Sequence, residues 1–404
     1  GLLGGVLNQV SAEGNDVYAD LSIFTEVLNR VRHEYVDSPD LDKALKGALH
    51  GMMEALDPFS SFVDAETFEA LEGRDNQKAE TGLILSKRYG YAYVVAVQAG
   101  SSAGEEGLRS GDLIESIQGV VTTQMSIWEV QKWMRGAPGS TLDLRLIRSR
   151  RSQPQRLTLE RRILEPQKVA ARLVDEGIGY LRIPHFDEGV IDDVRARLKM
   201  LQNSGAKSHL IDVRGAARGV VSEAVAAADL LIPRGEQIVR STRRGRKGED
   251  FVASAEALVS GLPVAVLIDG GSSGAAEVFA AALRDDGVAE IVGERSNGRG
   301  SSQQLFKLED GSRLIISTGI YYRPSGDPLQ RRDLRKSGIA PDVRTPTPEW
   351  INRFYYENTP EDEDSLSESF YAELDQAIAQ EQLNRGIEHL KKQLSEATGA
   401  DKAA

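Results

Sequence analysis

The sequence predicts an α/β protein with a compact mixed unit ahead of its main core and helices at both ends. Three patterns carry that expectation. Between Val169 and Thr347, short runs of branched residues alternate with amphipathic stretches, the signature of a layered sheet covered by helices. Residues 76–165 hold several short strand-like runs around a single helical one. Residues 20–56 and 370–393 carry apolar side chains at helical spacing.

Taken in order, Leu21, Phe24, Val27, Leu28 and Val31 fall on one helical stripe, and Leu41, Leu45, Ala48, Met52 and Leu56 on a second. Pro39 and Asp40 break and cap the chain between them. Asp57-Pro58-Phe59-Ser60-Ser61 ends the second helix, and Ala65–Leu71 predicts a short third. Strands are expected at residues 82–85, 91–97, 142–147 and 156–159, with a helix at Ser126–Arg135. In the core, strands are expected at Ile178–Ile183, Ser208–Val213, Pro263–Asp269, Ala289–Val292 and Arg313–Thr318. The helices between them are Asp187–Gln202, Ser222–Leu231 and Gly274–Asp286. The expected regions are therefore 1–75 (helical), 76–165 (mixed unit), 166–347 (core) and 348–404 (acidic and helical).

Composition narrows the chemistry. With 40% hydrophobic and 27% charged residues, the chain is an ordinary globular protein. A net charge of -12 argues against a nucleic-acid partner, and the basic clusters at 145–162, 240–247 and 331–336 read as solvated faces. Without cysteine there is no disulfide, thiol nucleophile or thiolate metal site. The five histidines lack HxxxH or HExxH spacing, so no metal and no cofactor is expected. The segment Gly1–Leu7 is apolar and small. It reads either as the stub of a removed signal or anchor segment or as a frayed terminus.

Two sets of motifs go further. The run Ala99–Ile114, with Gly107-Leu108-Arg109-Ser110-Gly111-Asp112-Leu113-Ile114 at its end and Ile117-Gln118-Gly119 beyond, resembles the core of a PDZ domain. Such domains capture an extended peptide C-terminus on an edge strand. The resemblance makes Gly82, Leu83, Ile84 and Leu85 the peptide-binding loop and strand start, with helix Ser126–Arg135 closing the groove. Relatives usually carry glycine where Ile84 stands.

Further on, Gly177–Ile183, Ile211-Asp212-Val213-Arg214 through Gly219, Asp269–Glu277 and Gly293–Gln303 appear in the order found in carboxy-terminal processing proteases of peptidase family S41. The resemblance runs from about Asp20 to Thr347 and implies a ClpP/crotonase-like layered core with an inserted PDZ domain. It also implies a serine endopeptidase site in which a lysine, kept neutral by desolvation, takes the serine proton. Here the nucleophile position holds Gly274 and the base position Arg299. Glycine has no attacking atom, and a guanidinium stays protonated at physiological pH. Gln303 is retained at the position that orients the base, as is Glu277. The oxyanion donors would be the main-chain N–H groups of Gly219 and Ala275. The turn before Gly219 reads Gly215-Ala216-Ala217-Arg218, so a proline and a glycine of the family pattern are lost and an altered N–H is expected.

The resulting expectation is a protease-like protein that no longer cuts. It would be a periplasmic or envelope pseudoprotease that binds polypeptide C-termini or a partner envelope protein, with a homodimer as the assembly the resemblance implies. The competing expectation is an active endopeptidase using Ser272 or Ser273 as a displaced nucleophile.

Overall fold

The computed structural model describes residues 4–76, 78–148, 154–175, 177–345 and 368–400. The chain divides into two units, Gly1–Ala55 and Leu56–Ala404. The first holds helices α1 (Gly4–Glu34) and α2 (Leu41–Glu54). Asp40 caps α2 by accepting from the Lys43 N–H at 3.0 Å, as its position after Pro39 predicts. The apolar stripes are on these helices, but Leu21, Val27 and Met52 remain more than half exposed.

The second unit begins with β1 (Ser61–Val63) and α3 (Ala65–Glu72). The mixed unit follows, with β2 (Ala79–Glu80), β3 (Leu83–Arg88), β4 (Tyr91–Val97), α4 (Ser102–Glu105), β5 (Leu113–Ile117), β6 (Val120–Val121), α5 (Ile127–Trp133), β7 (Arg135–Gly136), β8 (Thr141–Ile147), β9 (Gln155–Glu160) and β10 (Arg162–Ile163). Its main sheet runs β3-β4-β5-β8-β9, with β6 paired to β5. Leu85, Val94, Ile114, Val130, Leu142 and Leu146 form its core. Ser126 and Glu129 make a reciprocal capping box that starts α5. Because β3 lies at the end of the sheet, one of its edges has no strand partner among the described residues.

The core comprises β11 (Ala170–Val174), β12 (Ile178–Arg182), α6 (Val190–Asn203), β13 (Ser208–Asp212), α7 (Val221–Ala228), β14 (Gln237–Arg243), β15 (Arg246–Val252), β16 (Val264–Ile268), α8 (Ala275–Asp285), β17 (Glu290–Gly293), β18 (Ser301–Lys307), β19 (Arg313–Tyr322) and β20 (Val343–Arg344). Its central sheet runs β11-β12-β13-β16-β17-β20, parallel except for the β11–β12 pair. Strands β13 and β16 are buried along their whole length. Strand β16 accordingly reads in sequence as a continuous apolar run, whereas β13 buries Ser208, His209 and Asp212 beside Leu210 and Ile211. Helices α6, α7 and α8 cover one face. The other is covered by α9 (Glu368–Ala400), whose Leu383, Ile387 and Leu390 pack on Leu210, Leu267 and Val292. A second sheet, β1-β19-β14-β15 with β18 on β19, completes the core. The expected acidic stretch Glu357–Glu368 falls almost wholly outside the described residues.

Within the basic clusters, Arg148, Arg240 and Arg335 pair with Asp112, Asp250 and Asp333. Among the described residues no helix is long and apolar enough to cross a membrane, and no group of acids and histidines could hold a metal.

One buried group sets a pH dependence. His209, on β13, is fully buried with neither ring nitrogen hydrogen-bonded, and burial pushes its pKa down from 6.5 to about 4. Between those values the unfolded chain binds more protons than the native one, so stability falls as pH drops. The loss by the lower limit is about 3 kcal/mol. His209→Leu is expected to remove this loss, so that in a urea-denaturation series run from pH 6.5 to 4 the variant gains stability relative to the wild type as pH falls; a difference that does not change with pH would contradict this.

Candidate active site

Each motif predicted to carry chemistry sits on a turn at the C-terminal end of a central strand, where parallel sheets place their sites. After β13, the Asp212 carboxylate accepts from the Arg214 main-chain N–H and Nε, both at 3.0 Å, and from Nη2 at 2.7 Å. The Tyr180 hydroxyl donates to it at 2.8 Å. These donors and charges hold Asp212 below the usual carboxylate range although burial opposes them.

After β16 the chain turns through Asp269–Gly274 into α8. Asp269 Oδ1 accepts from the Gly271 N–H at 2.9 Å and from the Gly215 N–H at 2.8 Å, which ties the two glycine-bearing turns together. Gly274 has φ 62° and ψ −110°, a conformation that favours glycine. A Cβ built there would meet nothing within 4 Å. The space beside this strand–turn–helix junction is therefore open, and the residue there has no side chain to enter it.

Glu277 joins this turn to the segment after β17. It is fully buried, and four donors converge on it. The N–H groups of Gly274 and Arg299 reach Oε2 at 2.9 and 2.8 Å. The Gly298 N–H and the Ser296 hydroxyl reach Oε1 at 2.7 and 2.5 Å. Burial nevertheless pushes its pKa up to about 7. The two positions that the motifs pair are thus held together by their main chains on one carboxylate oxygen.

Arg299 itself is partly buried, and its guanidinium carbon lies 5.3 Å from the Phe59 ring centroid. Burial lowers its pKa, with Glu277 opposing the shift. Gln303, expected to orient the base, instead donates from Nε2 to the hydroxyls of Ser301 (2.9 Å) and Ser317 (3.2 Å).

The serines beside Gly274 are both engaged. Ser272 is fully buried, bonded through Oγ to the Val213 carbonyl at 2.9 Å, and accepts from the Asp269 N–H at 3.1 Å. Ser273 is also buried and accepts from Asn297 Nδ2 at 3.0 Å. Neither has a hydrogen bond to a histidine or lysine among the described residues.

At the Gly219 turn, where the sequence departs from the family pattern, Phe186 holds the main chain from one side. The Phe186 N–H donates to the Arg218 carbonyl at 2.9 Å, and the Val220 N–H to the Phe186 carbonyl at 2.8 Å. That short parallel bridge leaves the Gly219 N–H pointing away from Phe186. Among the described residues neither it nor the Ala275 N–H has an acceptor. The Arg218 side chain leaves the turn outward, and Nη1 donates to Glu80 Oε1 (2.9 Å) and Gln98 Oε1 (2.8 Å) of the mixed unit. The charged residue is accommodated at the surface without unwinding the turn.

In the mixed unit, Leu83 and Leu85 point into its core, while Ile84 is only partly buried and faces the opposite way. Gly82 has φ 82°, and a Cβ there would lie 2.2 Å from Ser101 Cβ. Phe59, Ser296 and Asn297 belong to the site yet were not singled out from sequence. Their only signal was adjacency to the Asp57–Ser61 turn and to the Gly293–Gln303 motif.

Residues 177–345 match the family model of peptidase family S41, and residues 93–148 match a PDZ domain. A carboxy-terminal-processing protease of Bartonella bacilliformis is 33% identical over 346 residues, 83% of this chain and 77% of that protein. The chain belongs to peptidase family S41. Within it, the relatives it resembles are carboxy-terminal processing proteases. One from Synechocystis is 30% identical over 77% of this chain and 74% of its own length. Among solved structures, a photosystem II D1 C-terminal processing protease superposes with a TM-score of 0.65 at 24% identity, over 80% of this chain and 92% of that one. That likeness bears on the fold alone. The mixed α/β architecture with an S41 core, a PDZ domain and terminal helices agrees with the sequence expectation.

Proposed function

We propose that this S41 chain is a pseudoprotease that binds polypeptide C-termini, or a partner envelope protein, through its PDZ domain. One observation carries the reading. The position facing the open space at the start of α8 is Gly274, while its serine neighbours are buried and hydrogen-bonded within the turn. Losing the nucleophile of a catalytic unit costs on the order of 10⁶ in rate. A guanidinium at the base position cannot take up a proton to compensate.

The PDZ side supports the binding half. Among the described residues one edge of strand β3 has no strand partner, and α5 lies beside it. The Leu85 carbonyl of that strand accepts from Gln131 Nε2 of α5 at 3.4 Å, a long side-chain contact that an added peptide strand would have to displace. The half-exposed stripe Leu21, Val27 and Met52 supports self-association of the helical unit. An envelope location remains part of the proposal.

The reading is tested by incubating purified protein with unfolded casein. No cleavage is expected from the wild type or from Ser272→Ala. Wild-type cleavage abolished by Ser272→Ala or Ser273→Ala would instead establish the displaced-nucleophile endopeptidase.

A further inference from the structure

Three turns of the S41 core are stitched together around Gly274. The Asn297 N–H donates to the Ser272 carbonyl at 3.0 Å, Asn297 Nδ2 to Ser273 Oγ at 3.0 Å, and the N–H groups of Gly274 and Arg299 meet on Glu277 Oε2. The turn that carries Gly219 joins them, since the Ser273 N–H donates to the Ala216 carbonyl at 3.1 Å. The Gly219 and Ala275 N–H groups and Arg299 are thereby gathered at one place in the fold, beside the open space at Gly274.

We propose that this place is a carboxylate-binding site, with one ligand oxygen on the Gly219 and Ala275 N–H groups and the other on the Arg299 guanidinium. The proposal goes beyond the peptide-binding reading and does not depend on what the PDZ domain holds.

Arg299 is the residue that points to a ligand. Its guanidinium is desolvated by burial, lies over the Phe59 ring and has no hydrogen-bond acceptor among the described residues. Contact with a ring face uses none of its N–H groups, so the whole donor fork is left over. A buried cation without a hydrogen-bonded partner is costly, and a carboxylate supplies the missing acceptors through a charge-assisted pair. The acid that acts on Arg299 is Glu277, whose two oxygens are already engaged by four other donors. Helix α8 starts at Ala275 and runs for eleven residues, so its dipole adds a field of the same sign. Gly274 contributes room, because no side chain enters the space where the ligand oxygens would stand. Glu277 also selects the ligand's charge. When ionised it disfavours a dianion such as phosphate, whereas a planar monoanion matches N–H groups on one side and a guanidinium on the other.

The test follows the carboxyl carbon resonance of isotope-labelled propionate titrated with the full chain at fixed ionic strength. Saturable broadening is expected for propionate, none for propionamide, and inorganic phosphate should compete at least about tenfold less well. Arg299→Gln should weaken propionate binding at least about tenfold, and Arg299→Lys, which keeps the charge without the fork, should lose less. N-acetyl-alanyl-alanine distinguishes the sources of the carboxylate. Arg299-dependent binding tighter than that of propionate indicates the end of a polypeptide, weaker binding a small free acid, and both uphold the site. The absence of saturable propionate binding overturns the proposal. So does binding that is unchanged in a folded Arg299→Gln, or phosphate that competes as well as propionate. Equal binding of propionate and propionamide by the wild type overturns it even if neither Arg299 variant folds.

Discussion

Glu277→Ala is expected to lower the melting temperature of the S41 core by roughly 10 °C or more. The substitution strands three main-chain N–H groups and the Ser296 hydroxyl in a fully buried place. Each unsatisfied donor costs about 1–3 kcal/mol, and a partial collapse would recover some of it, so about 4–6 kcal/mol is the expected total. At about 2–4 °C per kcal/mol for a domain of this size, calorimetry reads it easily. Glu277→Gln, which keeps one acceptor oxygen, should lose less. The wild-type group also leaves a pH signature. Its pKa is raised from 4.5 to about 7, so its native state holds the extra proton. The associated stability, about 3 kcal/mol, is fully present below the lower value and lost as pH rises through the upper. This slope opposes that of His209 where the two windows overlap. Wild-type stability should therefore be nearly level between about pH 4.5 and 6.5, and each single variant should expose the other group's slope. A decline of only 1–2 °C in Glu277→Ala would contradict the packing described.

Gly219→Ala should be more damaging still at the level of soluble yield. Its Cβ would lie 2.0 Å from the Phe186 carbonyl carbon and 2.1 Å from its oxygen, at φ +117°. Backbone cannot swing aside as a side-chain tip can, so the Phe186–Gly219 bridge must break. Overpacking alone costs about 1–3 kcal/mol, and the disfavoured φ adds to it. Gly215→Ala is the matched control. It also has a positive φ of 64°, but its Cβ would meet nothing within 4 Å, so a loss of about 1 kcal/mol is expected. Equal yields and melting points for the two variants would show that the close approach does not matter.

The sequence exposed the architecture because the features that specify it are local. Buried parallel strands such as Val264–Ile268 are continuous apolar runs, and the capping box at Ser126 and Glu129 can be read directly. The Gly274 and Arg299 positions were legible for the same reason, since each sits in a contiguous motif. What stayed hidden depends on contacts between segments far apart in the chain. Nothing local shows that Glu277 binds the Gly298 and Arg299 N–H groups, or that Phe59 flanks Arg299. The Gly219 turn is the clearest case. Counting lost glycines and prolines does not reveal that Phe186 holds the turn from outside or that Arg218 projects toward Glu80 and Gln98. The peptide-binding stretch Gly82–Leu85 likewise divides by the alternation of β3, which turns Leu83 and Leu85 into the PDZ core and Ile84 away from it.

The most direct measurement is the intact mass of the folded protein after treatment with a fluorophosphonate ester, which captures an activated serine whatever its position. The account predicts an unshifted mass for the wild type over hours at neutral pH. A single stoichiometric adduct, mapped by peptide digestion to Ser272, Ser273 or any other serine of the core, would contradict it.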